Sequence, residues 1–184
     1  GPSGKLDGMG DELDVRLATA ADIPALVSLV NSAYRGESSR AGWATEEHLL
    51  GGIRVDEQRL RDELAADGSV VLVHEEGDEL VACVHLERTG DSCYLGMLTT
   101  KPTLQARGLG RSMLASAEQW AATHWHSHDV HMTVISVRDT LIAWYERRGY
   151  VRTGERKPFP YGDERWGVPK VDDLEFVVLR KSVI

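Results

Sequence analysis

The sequence predicts an α/β domain with a central mixed sheet flanked by helices. Three observations carry that expectation. Short apolar stretches of strand length recur along the chain, and amphipathic stretches of helical period stand between them. One strand, Cys93 to Leu98, also leads through the glycine-rich loop Gln105-Ala106-Arg107-Gly108-Leu109-Gly110-Arg111-Ser112 into an amphipathic helix. The 184 residues, 42% apolar and 27% charged, suit one globular domain with a sizeable core.

Taken in order, residues 1–8 read as the remnant of a cleaved tag ahead of Met9, so the domain is sought in 9–184. Leu13 to Leu17 is a strand. Thr19 caps the first helical segment, with Asp22 three residues on. Ile23 to Tyr34 is a helix carrying Ile23, Leu26, Val27, Val30 and Tyr34 on one face. Arg35 to Ala44 is a polar loop. Thr45 to Leu50 and Asp56 to Ala66 read as helices, the second with Leu60 and Leu64 inward. Val70 to His74 is a strand that turns at Glu76-Gly77-Asp78. Leu80 to Leu86 and Cys93 to Thr100 are strands joined through Thr89-Gly90-Asp91. In the next helix the spacing puts Leu109, Met113, Leu114, Ala117, Trp120 and Ala121 on one face. Val130 to Val137 is a strand. A short helix comes next, with Asp139 at its start, Arg147 and Arg148 in its last turn and Gly149 as its stop. Tyr150 to Glu155 and Leu174 to Arg180 are the last strands, separated by the long connection Arg156 to Asp173.

Composition narrows the function. No apolar run approaches the length of a membrane span, and no signal peptide is visible. Cys83 and Cys93 fall on adjacent strands, where a pair is conceivable; buried free thiols in a reducing cytoplasm are the expected reading. The net charge of −8 argues against general nucleic-acid binding and favours cationic substrates such as amines.

The glycine-rich loop is suited to a pyrophosphate. A helix N-terminus presents unpaired N–H groups and partial positive charge. Gly108 and Gly110 let a ligand approach the main chain, and Arg107 and Arg111 add full charge. A dinucleotide fingerprint would place a third glycine where Met113 stands, and a P-loop would need a lysine that is missing. The pattern Gln/Arg-x-x-Gly-x-Gly/Ala resembles the coenzyme A loop of the GCN5-related N-acetyltransferase (GNAT) superfamily. Leu141-Ile142-Ala143-Trp144-Tyr145-Glu146-Arg147-Arg148-Gly149-Tyr150 resembles a second signature of that family, and Val15 to Asp22 its opening strand and capped helix. The three stand in the family's order, and the resemblance spans roughly Val15 to Arg180.

The resemblance implies the GNAT fold, with a mostly antiparallel sheet, and acetyl-CoA as cosubstrate. Residues Gln105, Ala106, Arg107, Gly108, Leu109, Gly110, Arg111 and Ser112 would hold the pyrophosphate. The edge of Leu98, Thr99 and Thr100 would pair with the amide-like pantetheine arm, and an N–H near Leu98 would face the thioester oxygen. Tyr145 stands where the family places the general acid for the departing thiolate. The family's frequent Asn before the short helix is replaced by Arg138, with Asp139 or Thr140 able to substitute for its contact. No acid stands on the strands flanking the coenzyme loop, so the candidate bases are His85, Glu87, Glu175, Glu37 or a water relay.

The acceptor is expected between the Arg35–Thr45 loop and the Arg156–Asp173 connection. These offer Tyr34, Glu37, Trp43, Phe159, Tyr161 and Trp166, with Asp163 and Asp173. Aromatic walls with a carboxylate suit an ammonium group, and the same aromatics can also simply pin the loops. His124, His126, His128 and His131 match no standard zinc spacing and suit a helix C-terminus, so no metal is expected. The expected activity is transfer of acetyl from acetyl-CoA to a small primary amine, without nucleic-acid or membrane partners; assembly as a homodimer is left open. The alternatives are a protein N-terminal or lysine acetyltransferase and a non-catalytic acetyl-CoA-binding module.

Overall fold

Antiparallel pairing dominates a seven-stranded sheet. The computed structural model describes residues 13–39, 50–51, 55–158, 168–169 and 175–184, with the backbone alone at 34–39, 50–51, 105–106 and 168–169. Its strands are β1 (Arg16–Leu17), β2 (Leu50–Gly51), β3 (Ser69–Glu76), β4 (Glu79–Thr89), β5 (Ser92–Thr100), β6 (Asp129–Ile135), β7 (Val151–Pro158), β8 (Val168–Pro169) and β9 (Glu175–Ser182). The helices are α1 (Ile23–Ser39), α2 (Glu57–Ala65), α3 (Leu109–His124) and α4 (Asp139–Glu146). The order across the main sheet is β1-β3-β4-β5-β6-β9-β7, and only β5–β6 is parallel. A parallel pair needs a crossover, and α3 supplies it.

Alternation along the strands divides the core in two. Leu72, Val84, Leu86, Cys93 and Leu95 point to the face covered by α3 and α4, where Met113, Leu114, Ala117, Ile142 and Tyr145 pack. Val71, Val73 and Cys83 point to the other face, under Leu26, Val30 and Leu60 of α1 and α2. Cys83 and Cys93 therefore lie on opposite faces as free thiols, which removes the conceivable pairing. Burial pushes both thiols up to about 12.

Local chemistry sets the element ends. Asp56 accepts from the Arg59 N–H at 2.8 Å and caps α2. The Thr19 N–H donates to Asp22 at 2.8 Å, and Arg16 clasps the same carboxylate with two 2.9 Å bonds. That guanidinium holds the Asp22 carboxyl below its usual range. Gly149, at φ 101°, closes the turn after α4.

Several expectations need correction. The first strand is shorter than Leu13–Leu17: the Leu13 N–H instead donates to Ser116 Oγ at 2.7 Å, docking the chain onto α3. The α1 helix runs on to Ser39. Asp139 is already inside α4, and Arg138 holds the capping position without a side-chain cap bond. Leu50 stands in β2, paired to β8, rather than in a helix, while residues 45–49 of that expected helix lie outside the described residues. The expected tag remnant at residues 1–8 lies outside them too. Among the described residues, no helix is long and apolar enough to cross a membrane.

Candidate functional site

The first turn of α3 is built from Gly108 onward. Gly108 sits in the left-handed region at φ 75°, and its carbonyl accepts the first helical bond from Ser112 at 3.1 Å. The N–H groups of Leu109, Gly110 and Arg111 thus have no acceptor within the helix. A methyl on Gly110 would meet Thr100 Cγ2 at 3.7 Å and Trp144 Cζ2 at 3.8 Å, so β5 and α4 both border this turn.

The arginines around it differ. Arg107 is bound bidentately by Glu76 at the β3–β4 turn, at 2.9 and 3.1 Å. Arg111 is exposed and makes no ion pair among the described residues. Arg148, read from sequence as a dipole-favoured helix end, lies 4.0 Å over the Trp144 ring and donates to the Trp144 carbonyl at 3.0 Å. Its Nε is buried without a partner. Burial lowers its pKa, and repulsion from Arg147 and Arg111 lowers it further. Two cations without acidic partners among the described residues, Arg111 and Arg148, thus stand near the open amides. The backbone of Gln105 and Ala106 forms a 3-10 turn, and their side chains lie outside the described part of the structure.

Beside this turn the sheet opens. Strands β5 and β6 share only three rungs, Ser92–Asp129, Cys93–Val130 and Tyr94–His131. Beyond Tyr94 they part, while β6 continues its pairing with β9 to Ile135–Phe176. The β5 edge from Leu95 to Thr100 therefore faces a gap. A bulge lies on the same stretch: Met97 has φ 57°, and the β4–β5 register shifts between Cys83 and His85. The extra residue inverts the alternation. Cys93 and Leu95 face α3, Met97 packs under α1, and Leu98 packs with the α3 cluster again. Thr99 Oγ1 donates to the Met97 carbonyl at 3.0 Å.

Tyr145 is buried on the core face of α4, edge-on to Trp144 at 5.1 Å and to Tyr150 at 5.8 Å. Tyr150 serves the structure instead: its hydroxyl donates to Glu118 at 2.8 Å, and Lys181 holds the other carboxylate oxygen at 2.9 Å. Arg138, at the head of α4, donates its N–H to the Ile135 carbonyl at 3.0 Å.

On the face under α1 and α2, where β5 and β6 begin to part, lies a cleft of about 490 Å³. Its lining includes Glu63, Ser69, His85, Glu87, Tyr94 and His131. His85 is buried; its Nε2 lies 2.8 Å from Ser69 Oγ and its Nδ1 3.9 Å from Glu63 Oε2. Burial lowers the His85 pKa, against a smaller upward pull from Glu63 and Glu87. The Tyr94 ring stands edge-on between His85 (6.4 Å) and His131 (5.7 Å). It also leans over Gly96, where a methyl would come within 3.2 Å of its hydroxyl.

Of the four candidate bases, His85 is in this cleft and Glu87 lines it, while Glu175 is engaged by Arg156 at 2.7 Å. The side chains of Glu37 and Tyr34, and all of Trp43, Phe159, Tyr161, Asp163, Trp166 and Asp173, lie outside the described residues. The cleft residues missed from sequence are Ser69, Glu63 and Tyr94. Strand alternation alone could have placed Tyr94 on the face opposite Cys93 and Leu95. The four histidines separate: His124 stacks on Trp120 at 4.3 Å, while His131 bonds Ser92 Oγ at 2.7 Å. Among the described residues no group of three or more metal-ligating side chains forms.

The family model described as an acetyltransferase (GNAT) domain matches residues 44–159. Among solved structures, a ribosomal-protein-alanine N-acetyltransferase from Brucella melitensis is 22% identical with a TM-score of 0.64, covering 92% of this chain and 99% of its own. A spermidine N-acetyltransferase variant from Vibrio cholerae is 13% identical at TM-score 0.60, covering 93% and 95%. The PaiA N-acetyltransferase of Thermoplasma acidophilum, in complex with coenzyme A, is 13% identical at TM-score 0.64, covering 92% and 98%. At such identities these likenesses concern the fold. No curated protein sequence matches.

Proposed function

The chain belongs to the GNAT acetyltransferase family, and we propose that this acetyl-CoA-dependent N-acetyltransferase acts on a small primary amine by direct attack on the thioester. The observation that carries this reading is the parted β5–β6 edge, which begins beside open helix amides and two cations, Arg111 and Arg148, free of acidic partners among the described residues.

In this reading the pyrophosphate sits on the Leu109, Gly110 and Arg111 amides, with Arg111 and Arg148 supplying charge. The pantetheine arm lies along Leu98, Thr99 and Thr100 as an added strand. The bulge at Met97 turns the Leu98 N–H toward the thioester oxygen as an oxyanion donor. The amine attacks the carbonyl carbon, the C–S bond breaks, and Tyr145 gives its proton to the thiolate. A cleft of about 490 Å³ suits a small amine better than an extended peptide. The two buried free thiols fit a reducing, cytoplasmic setting.

The test is calorimetric titration of coenzyme A, followed by thiol release from acetyl-CoA with small amines, polyamines and short peptides. Micromolar binding and release with small amines are expected. Release with peptides alone would overturn the acceptor class, and absence of coenzyme binding would overturn the whole reading.

A further inference from the structure

The acceptor must lose a proton before it attacks, because an alkylammonium has no lone pair. We propose that the cleft at the parting of β5 and β6 is the amine site, and that its proton leaves through Ser69 Oγ to His85 Nε2. The proposal rests on the acetyl-transfer reading.

Four observations support it. The cleft lies where the coenzyme edge ends: His85 pairs across the sheet with Gly96, the residue before the bulge, and Tyr94–His131 is the last rung before the strands part. The Ser69 hydroxyl lines the cleft and lies 2.8 Å from His85 Nε2. Glu63 Oε2, held by Arg59 at 3.0 Å, stands 3.9 Å from His85 Nδ1. It favours the tautomer with the proton on Nδ1, leaving Nε2 free to accept. The Tyr94 ring and the Glu87 carboxylate border the space an ammonium group would enter.

The step balances. The ammonium N–H bond breaks as its proton passes to Ser69 Oγ, while the hydroxyl proton passes to Nε2. The products are a neutral amine, an unchanged serine and an imidazolium beside Glu63. The nitrogen lone pair is then free for the thioester carbon. The groups facing the ring are Arg59 and Glu63 from α2, Ser69 from β3, Glu87 from β4 and Tyr94 from β5. Burial keeps the resting imidazole neutral at pH 7, ready to accept. Glu63 is here a positioning residue.

The experiment uses the full chain with acetyl-CoA and two probe amines, n-butylamine and putrescine. Thiol release is followed from pH 5.5 to 9.5 for the unaltered protein and for His85→Gln, Ser69→Ala and Glu63→Gln, with coenzyme A affinity measured for each. His85→Gln should lower kcat/KM for the amine about 10²-fold at neutral pH, with coenzyme affinity unchanged. The deficit should narrow at alkaline pH, where free amine is plentiful. Glu63→Gln should move the acid limb to lower pH, since it removes the charge that favours the imidazolium; a merely structural role would leave the limb in place. Should His85→Gln fail to fold, Ser69→Ala carries the same test, with an expected loss of about tenfold or more.

Unchanged rates and pH profile in the folded variants would overturn the proposal. An acetyl adduct on Ser69 after incubation with acetyl-CoA alone would replace the relay by an acyl-enzyme. If the protein binds coenzyme A yet releases no thiol with either amine, imidazole ¹⁵N resonances decide. A His85 shift with n-butylamine, absent with n-butanol, upholds the cleft as an amine site, and no shift overturns it. Loss of coenzyme binding in the unaltered protein would instead indict the acetyl-transfer reading.

Discussion

The two arginines of the glycine-rich loop should contribute very differently to coenzyme binding. Arg107 is already bidentate on Glu76, so a phosphate must compete with an existing carboxylate for it. Arg111 has no acidic partner among the described residues, and Arg148 is half-buried against Trp144 with its Nε unpaired. A charge-assisted hydrogen bond is worth about 1.5–3 kcal/mol, the lower end applying where water screens it. At 1.4 kcal/mol per factor of ten, Arg111→Ala should weaken coenzyme A binding about tenfold. Arg148→Ala should weaken it about 10–100-fold, because its site is drier. Arg107→Ala should change affinity by about threefold or less. The converse test is sharper: Glu76→Gln frees Arg107 and should tighten binding severalfold. Isothermal titration at two ionic strengths reads all four, and the Arg111 and Arg148 losses should shrink as salt rises. The reasoning is refuted if Arg107→Ala costs as much as Arg148→Ala, or if Glu76→Gln leaves affinity unchanged.

Three further outcomes are expected. Tyr145→Phe should lower kcat about 10²–10⁴-fold with coenzyme affinity preserved, measured by thiol release and calorimetry; full retained turnover would remove it as the acid. Tyr150→Phe takes the partner from one Glu118 oxygen and should destabilise the fold by about 1.5–3 kcal/mol in urea unfolding. An unchanged urea midpoint would show that water replaces the phenol there. Stability should also fall as the medium is acidified through neutrality. Burial holds the folded His85 pKa below its ordinary value of 6.5, so the unfolded chain takes up a proton there that the folded chain refuses. That contribution is complete above the unfolded value and is lost as pH falls through the folded one. His85→Gln should flatten this part of the urea-midpoint profile between pH 7.5 and 5.5; an unaltered profile would place the effect elsewhere, with His131 the next candidate.

Much of the architecture was legible because it is local. The apolar spacing of Leu109, Met113, Leu114, Ala117 and Ala121 is a property of one helix, and all five are buried. Other features belong to pairs of segments. The β2–β8 pair joins residues far apart, each strand only two residues long, and such short runs carry no periodicity. The Met97 bulge exists only relative to β4, so no property of Gly96-Met97-Leu98 announces it. The Glu63, His85 and Ser69 cluster draws on a helix and two strands brought together by antiparallel pairing. Arg148 was hidden for a different reason: a cation near a helix end already has a sufficient explanation in the dipole, and that explanation masked its place over Trp144.

The three-rung junction also divides the molecule mechanically. On one side, β1, β3, β4 and β5 form a continuous antiparallel ladder; on the other, β6, β9 and β7 form a second. Among the described residues, main-chain pairing between the two ladders runs only from the Asp91–His128 bond to the Tyr94–His131 rung, so the ladders are joined at one end of the seam and not along it. Amide hydrogens inside each ladder should therefore exchange with solvent as a cooperative block, and those flanking the seam should exchange soonest. A ligand that lies in the seam and bonds both margins would fuse the blocks into one. Slowed exchange on both sides at once would then be the signature of occupancy, visible even when no atom has moved far.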